Sequence, residues 1–190
     1  MSSSADIYRS LRRFKPEKYT AQLKPRGRSM LTFVDPLRRS FPKLLLDTTV
    51  YIDELQGRFP RSAEAALRTS ELWHSTVTEA ELAALAGLLD ARHPDTHQVV
   101  KQVAASIDKR PDHRILNPDA DVWREAGILA GLLARLQQSG KTEQRRTLND
   151  ALIFLSAAKH GCAVLTRNVA DFDFLMQLAP FGKAVFYEKR

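Results

Sequence analysis

Cysteine is nearly absent from this sequence: Cys162 is the only one in 190 residues. An intrachain disulfide and a multi-cysteine metal site are therefore excluded. Long apolar runs are absent too. The longest stretch without a charge or strong polar group lies near residues 126–134, between Glu125 and Arg135, well short of the roughly 20 residues a membrane helix needs. The N-terminus, Met1-Ser-Ser-Ser-Ala-Asp, has no apolar stretch of export-signal type. A membrane span, a secreted disulfide scaffold and a zinc finger drop out, and a soluble cytoplasmic protein is the expectation. No internal repeat is visible. What remains is 44% hydrophobic and 27% charged, a composition suited to one ordinary globular domain or a domain with an extension.

The charge is unevenly placed. Residues 1–43 hold 11 Lys+Arg against 3 Asp+Glu, and residues 44–190 hold 18 against 19. The excess of +7 thus belongs to the N-terminal segment. Pro16, Pro25, Pro36 and Pro42 lie there as well. The division expected is a basic, Pro-rich extension over 1–42 and a folded domain over 43–190. Basic, Pro-rich and weakly periodic sequence reads as an extended arm rather than a packed layer. Its arginines, Arg9, Arg12, Arg13, Arg26, Arg28, Arg38 and Arg39, suit a polyanion, since each phosphate contact releases a condensed counterion. They suit equally a fold-back onto acidic groups, or plain solvation. Met30 offers an alternative start that omits most of the arm.

The remainder alternates strands and helices. Lys43-Leu44-Leu45-Leu46-Asp47 is a short continuous apolar run, as in a strand buried on both faces. Helix is expected over 60–72, a strand over 74–77, helices over 78–91 and 94–109, and an edge strand over 114–116. The segment 119–138 places Val122, Ala126, Leu129, Leu133 and Leu136 on one stripe, with Ser139-Gly140 ending that helix. A helix over 148–160 stops at Gly161. Strand 162–166, helix 168–178 and strand 184–187 complete the pattern. Such alternation implies an α/β fold with a mainly parallel sheet covered on both faces.

Acids recur where open α/β sheets bind ligands, beyond the C-terminal ends of the strands. Asp47 ends the first strand. Thr78-Glu79-Ala80-Glu81, Thr147-Leu148-Asn149-Asp150 and Asn168-Val169-Ala170-Asp171 each put a capping residue three positions before an acid. Capping boxes explain that spacing without any catalysis. Asp47 resists that explanation, because an acid following Leu44-Leu45-Leu46 is costly if buried unpaired. Were the strands neighbours, Asp47, Glu81, Asp150 and Asp171 would converge. Two carboxylates ~4 Å apart repel by roughly 4 kcal/mol at an effective dielectric near 20. Such a cluster calls for protonation, cationic neighbours or a divalent metal. Oxygen-only donors select hard ions, Mg²⁺ or Mn²⁺, which activate water for attack on a phosphodiester. Beside a basic arm, that points to nucleic acid as substrate.

The stretches Leu46-Asp47-Thr48-Thr49-Val50-Tyr51-Ile52-Asp53, Ser75-Thr76-Val77-Thr78-Glu79-Ala80-Glu81-Leu82, Asn149-Asp150-Ala151-Leu152-Ile153 and Leu165-Thr166-Arg167-Asn168-Val169-Ala170-Asp171-Phe172 resemble PIN-domain proteins. The nearest likeness is to VapC-type toxins of bacterial toxin–antitoxin pairs. The resemblance runs from about Lys43 to the C-terminus. It implies a three-layer fold and a metal-dependent endoribonuclease with site acids Asp47, Glu81, Asp150 and Asp171. It also implies Mg²⁺ or Mn²⁺ as cofactor, a homodimer, an RNA substrate and a cognate antitoxin. On it, Asp47 and Asp150 are the main metal ligands and Glu81 binds the same metal directly or through water. Asp171 holds a second metal or orients water, with Asp173 as the alternative whose spacing from Asn168 fits less well. Thr166 hydrogen-bonds a carboxylate or water, and Arg167 either meets a scissile phosphate or is a surface charge. The family often has Asn where Thr49 stands, and the 43 residues before Leu44 have no counterpart in a typical toxin.

Other signals are set aside. Gly140-Lys141-Thr142 lacks the earlier glycine of a phosphate-binding loop, since residue 135 is Arg135. His93 and His97 have metal-ligand spacing, but Pro94 intervenes and they read as surface residues. Cys162 reads as a core residue. Trp73 and Trp123 read as core or interface rather than base-stacking groups, and Leu88-Leu89 and Leu132-Leu133 as core or subunit contacts. A haloacid-dehalogenase-type phosphatase would need a second Asp where Thr49 stands. An adaptor keeping the fold without turnover is the remaining rival.

Overall fold

Leu44, Leu45 and Leu46 form the central strand, because a strand with neighbours on both edges and helices on both faces must be apolar throughout. The structure, a computed structural model, describes residues 5–35, 41–138 and 140–189. Pro36, Arg38, Arg39 and Ser139 lie outside the described residues. The chain begins with α1 (Ala5–Phe14), then β1 (Lys43–Leu46), α2 (Thr48–Leu55) and α3 (Arg61–Thr69). It continues through β2 (Glu71–Ser75), α4 (Thr76–Leu88), α5 (Thr96–Asp108) and β3 (Ile115–Leu116). The last part holds α6 (Ala120–Gln137), α7 (Lys141–Lys159), β4 (Ala163–Thr166), α8 (Val169–Leu178) and β5 (Ala184–Phe186).

The strands pair in the order β3-β2-β1-β4-β5, and every pairing is parallel. Side chains alternate between two cores. Leu45, Val164 and Phe186 join the core shared with α6, α7 and α8. Leu44, Leu46, Leu165 and Val185 join the core lined by Val50, Ala63, Leu82 and Val103 of α2 to α5. The expected three-layer α/β fold is thus present. The chain winds outward from β1 to β3, then returns to the other side of β1 for β4 and β5. The order reverses between β1 and β4, and the crevice beyond their C-terminal ends is where open sheets collect ligands.

The segment before β1 does not extend into solvent as its composition predicts. α1 buries Phe14 in the α6–α8 core, with Tyr19 and Leu23 packed against it. Arg13 donates to both carboxylate oxygens of Glu125 at 3.0 and 2.9 Å. Arg135 and Gln137 on α6 donate to the carbonyls of Pro16 and Leu23 at 2.7 and 3.1 Å. Further on, Val34 N–H donates to Phe186 O and Phe186 N–H to Thr32 O, both at 2.8 Å. The arm therefore pairs with β5 and covers a strand edge that would otherwise present free backbone groups. Arg28 pairs with Glu188. Among the described residues, the ion-pair partners of Arg13, Arg26 and Arg28 are Glu125, Asp173 and Glu188, not Asp47, Glu81, Asp150 or Asp171.

The features set aside mostly fall where expected. Cys162 is buried, which pushes its thiol up to about 11. Leu132 and Leu133 are core, and His93 and His97 are exposed. Leu88 is 81% exposed and Trp123 51% exposed, which removes the core reading of each and leaves the subunit-contact or interface one. Among the described residues no helix is long and apolar enough to cross a membrane.

One buried histidine gives the fold a pH dependence. His74 on β2 shares a hydrogen bond between its Nδ1 and the Tyr51 hydroxyl, and the Arg110 guanidinium lies 4.4 Å from the Tyr51 ring centre. Burial first, then the charges of Arg110 and Arg114, lower its pKa to about 4. A depressed histidine contributes stability that is full above its ordinary value near 6.5 and is lost as pH falls through about 4. The difference in urea midpoint between wild type and His74→Gln is expected to shrink steadily from pH 7 to pH 4. A constant difference over that range would show that His74 does not titrate as described.

Candidate active site

Asp47 stands where β1 ends and α2 begins, and it is 3% exposed. Its position after a fully apolar strand leaves it no water, so its charge depends on neighbours. Thr49 and Thr166 supply them: both hydroxyls donate to Asp47 Oδ2 at 2.7 Å. Burial nevertheless outweighs these bonds and raises the Asp47 pKa. Thr49, where the family often has Asn, thus provides a hydrogen bond to this carboxylate. It also accepts from Arg167 N–H at 3.1 Å, tying the end of β4 to the start of α2.

Two of the expected capping boxes are not formed. α4 starts at Thr76, and its cap is Ser75, whose Oγ accepts from Val77 N–H at 3.2 Å. Thr78 is buried inside the helix, where its hydroxyl meets Leu46 O at 3.4 Å. Glu81 is therefore one turn too deep to cap anything. It accepts instead from the Thr48 hydroxyl and, at 2.8 Å, from Asn149 Nδ2. α7 starts at Lys141, so Thr147 and Asp150 lie within a continuous helix. Only the third pattern is a real cap: Asn168 precedes α8, and its side chain accepts from Asp171 N–H at 3.4 Å. The same side chain's Nδ2 donates to Asp171 Oδ2 at 2.7 Å and to Asp150 Oδ2 at 3.2 Å.

Asp150 shows how the acids are placed. Burial, then the charges of Asp47, Asp171 and Glu81, raise its pKa well above the ordinary carboxylate value. Acids from β1's end, α4 and α8 thus act on one carboxylate of α7, at the crevice where the strand order reverses. Hydrogen bonds join them: Thr166 Oγ1 links Asp47 to Asn168 N–H at 2.9 Å, and Asn168 links Asp150 to Asp171. Among the described residues no three His, Cys, Asp or Glu side chains are arranged closely enough to hold an ion as they stand. The acids meet through shared bridges and fields rather than as a closed cage. Every charged group acting on Asp150 is a carboxylate, and that all-oxygen donor set fits a hard divalent cation and does not fit a softer one.

Arg167 and Asp173 take distinct places. Arg167 Nε donates to Asp53 Oδ2 at 2.7 Å, which also accepts from the Tyr187 hydroxyl at 2.8 Å. The arginine side chain stays 35% exposed at the mouth of the crevice's β4 side. Asp173 turns to the arm and Arg26, away from this group. The sequence reading missed Thr48, Asn149 and Asn168 as the groups that hold Glu81, Asp150 and Asp171. Thr48 directly after Asp47, Asn149 directly before Asp150 and Asn168 three residues before Asp171 were the available signals.

A model of the PIN domain matches residues 44–173. Among curated proteins none matches this chain. Among solved structures, FitAcB from Neisseria gonorrhoeae is similar at 23% identity over 76% of this chain and 96% of its own, with a TM-score of 0.54. VapBC2 from Rickettsia felis, bound to a DNA fragment from its promoter, is similar at 17% identity over 77% and 99%, with a TM-score of 0.52. VapBC-5 from Mycobacterium tuberculosis, a member of the VapBC family of toxin–antitoxin systems, follows at 22% over 77% and 99%, with a TM-score of 0.51. At these identities the likeness is one of fold.

Proposed function

This chain belongs to the PIN-domain family, and from that we propose that it is a metal-dependent endoribonuclease, the toxin of a VapBC-like toxin–antitoxin pair. The observation that carries the reading is the field of Asp47, Glu81 and Asp171 on Asp150. Asp47, Glu81 and Asp171 bear on the buried Asp150 at a switch-point crevice, and neither Glu81 nor Asp150 serves a cap, since α4 and α7 begin before their capping patterns.

Asp47 and Asp150 would hold Mg²⁺ or Mn²⁺, with Glu81 on the same ion directly or through water. The bound ion supplies a Lewis acid and an activated water to the phosphodiester. The chain's own part is orientation. Thr49 and Thr166 occupy Asp47 Oδ2 and so fix its plane. Thr48 and Asn149 do the same for Glu81. Asp171, held by Asn168, would orient water or take a second ion. Arg167, anchored at Nε by Asp53, grips a phosphate with its remaining donors. The phosphatase rival loses support, because Thr49 spends its hydroxyl on Asp47 where that chemistry needs an acid.

The substrate is RNA and the partners are a second copy of the chain and a cognate antitoxin, in the cytoplasm. The antitoxin is suggested by neighbours solved as VapBC toxin–antitoxin complexes. Purified full-length protein is expected to cut RNA in Mg²⁺ or Mn²⁺ and to stop in EDTA. RNA bound but uncut in both metals would replace the nuclease with the adaptor.

A further inference from the structure

Beside the acidic crevice lies a hollow of about 270 Å³, near the lower end of small-ligand pockets, roughly 300 Å³. Its walls include Thr76, Ala80, Glu81, Asn117, Trp123 and Asn149. Glu81 and Asn149 belong to both hollows, for Asn149 Nδ2 donates to Glu81 Oε1 at 2.8 Å. A chain whose phosphate sits among the acids therefore has this hollow as its immediate neighbour.

We infer that this hollow is a nucleobase subsite, in which an unstacked base flanking the scissile phosphate of single-stranded RNA lies on the Trp123 ring and is read by Asn117. The inference rests on the nuclease reading above. Trp123 is 51% exposed, yet its backbone is held firmly. It lies in the first turn of α6, where Asp119 accepts from Asp121 N–H and Val122 N–H at 3.1 and 3.0 Å. The next residue back, Val122, is buried in the main core, as are Ala126 and Leu129. A large aromatic on a fixed helix, exposed toward a concave wall with hydrogen-bonding groups, is what base stacking uses. Asn117 Oδ1 takes a hydrogen bond from the Thr76 hydroxyl at 3.3 Å. Its NH₂ therefore remains as a donor, suited to a base carbonyl or ring nitrogen. A protein partner fits the hollow less well. The exposed Leu85 and Leu88 of α4 and Leu89 just beyond it lie outside its lining, and four of the six wall residues named above, Thr76, Glu81, Asn117 and Asn149, are polar or charged.

The test measures binding of short single-stranded RNAs to full-length Asp150→Asn protein, which holds cleavage off, together with cleavage by the otherwise unchanged chain. Trp123→Ala is expected to weaken binding about tenfold, in keeping with aromatic–base stacking, while Trp123→Phe retains most of it. An RNA with one abasic position next to the cleavage site should bind both proteins equally. Asn117→Ala should flatten the preference among bases at that position, read as the ratio of affinities for RNAs that differ only there. Unchanged affinity and KM in Trp123→Ala, beside a wild type that cleaves, overturns the subsite and leaves the nuclease standing. So does a shift of Trp123→Ala from dimer to monomer with unaltered RNA affinity per chain, which would make this a subunit contact. Trp123-dependent, abasic-sensitive binding by a protein that cleaves nothing in Mg²⁺ or Mn²⁺ would keep the subsite and remove the nuclease.

Discussion

Asp150→Asn is expected to abolish metal-dependent RNA cleavage while making the metal-free protein more stable at neutral pH. The loss should exceed the roughly 10–100-fold that partners outside the metal's direct ligands carry. Thr166→Ala and Thr49→Ala, which orient Asp47, should fall within that window. Asp47→Asn should be as inactive as Asp150→Asn. The stability gain has a definite sign. Asp150's folded pKa is raised, chiefly by burial and then by Asp47, Asp171 and Glu81. Its carboxyl therefore favours the fold most fully below the ordinary carboxylate range, and that contribution is lost as pH rises through the raised value. Thermal melts without metal should show wild type weakening from about pH 4 upward, with Asp150→Asn much flatter. Added Mg²⁺ should stabilise wild type and not the variant. Asp150→Asn protein that cleaves at the wild-type rate, or that melts lower than wild type without metal at pH 7, contradicts the electrostatic picture.

Arg26→Ala is expected to cost about 3–5 kcal/mol of stability, the usual penalty for stranding a buried charge. Asp173 is 1% exposed, and Arg26 meets it twice: backbone N–H donates to Oδ2 at 2.8 Å and the guanidinium Nε to Oδ1. At roughly 2–4 °C per kcal/mol for a chain of this size, the melting temperature should drop by about 6–20 °C. Arg26→Met with Asp173→Leu should recover most of it, since an apolar pair strands no charge. Deleting residues 1–29 removes Arg26 together with Phe14, Tyr19 and Leu23 from the core facing α6. The truncated chain should therefore be destabilised and prone to aggregate rather than hyperactive. A truncation that melts like wild type would restore the arm to the free tail its composition suggests. If translation began at Met30, the product would lack this packing.

The composition of the arm hid its role for a physical reason. Within α1, Ile7, Leu11 and Phe14 keep helical spacing, but Tyr19, Leu23 and Phe33 follow irregularly along a chain that turns repeatedly, so no single period runs through the arm. The contacts reach far along the chain: Phe14 meets Phe181 and Phe33 meets Phe186, as Gln22 meets Gln137. The body was far more legible. Strand β1, the edge position of β3, the stripe on α6 and the stop at Gly161, whose φ is +68°, follow from local patterns and agree with the structure. Trp123 shows the opposite case. By type it reads as core or interface, and its place beside Val122, off the apolar stripe, puts it outside the core.

By itself the sequence determined the alternation of elements and the parallel sheet, and it pointed to the acids proposed for the site, because apolar periodicity and strand-end placement are properties of neighbouring residues. The tertiary structure alone decided what those acids do locally. A Thr three residues before Glu81 or Asp150 looks like a cap until packing sets where α4 and α7 begin, and helix starts depend on contacts the local pattern does not contain. Packing also decided that Asp171 faces Asp150 while Asp173 faces Arg26, since two acids two residues apart on a helix point to different sides and only the neighbouring chain determines which side is the crevice.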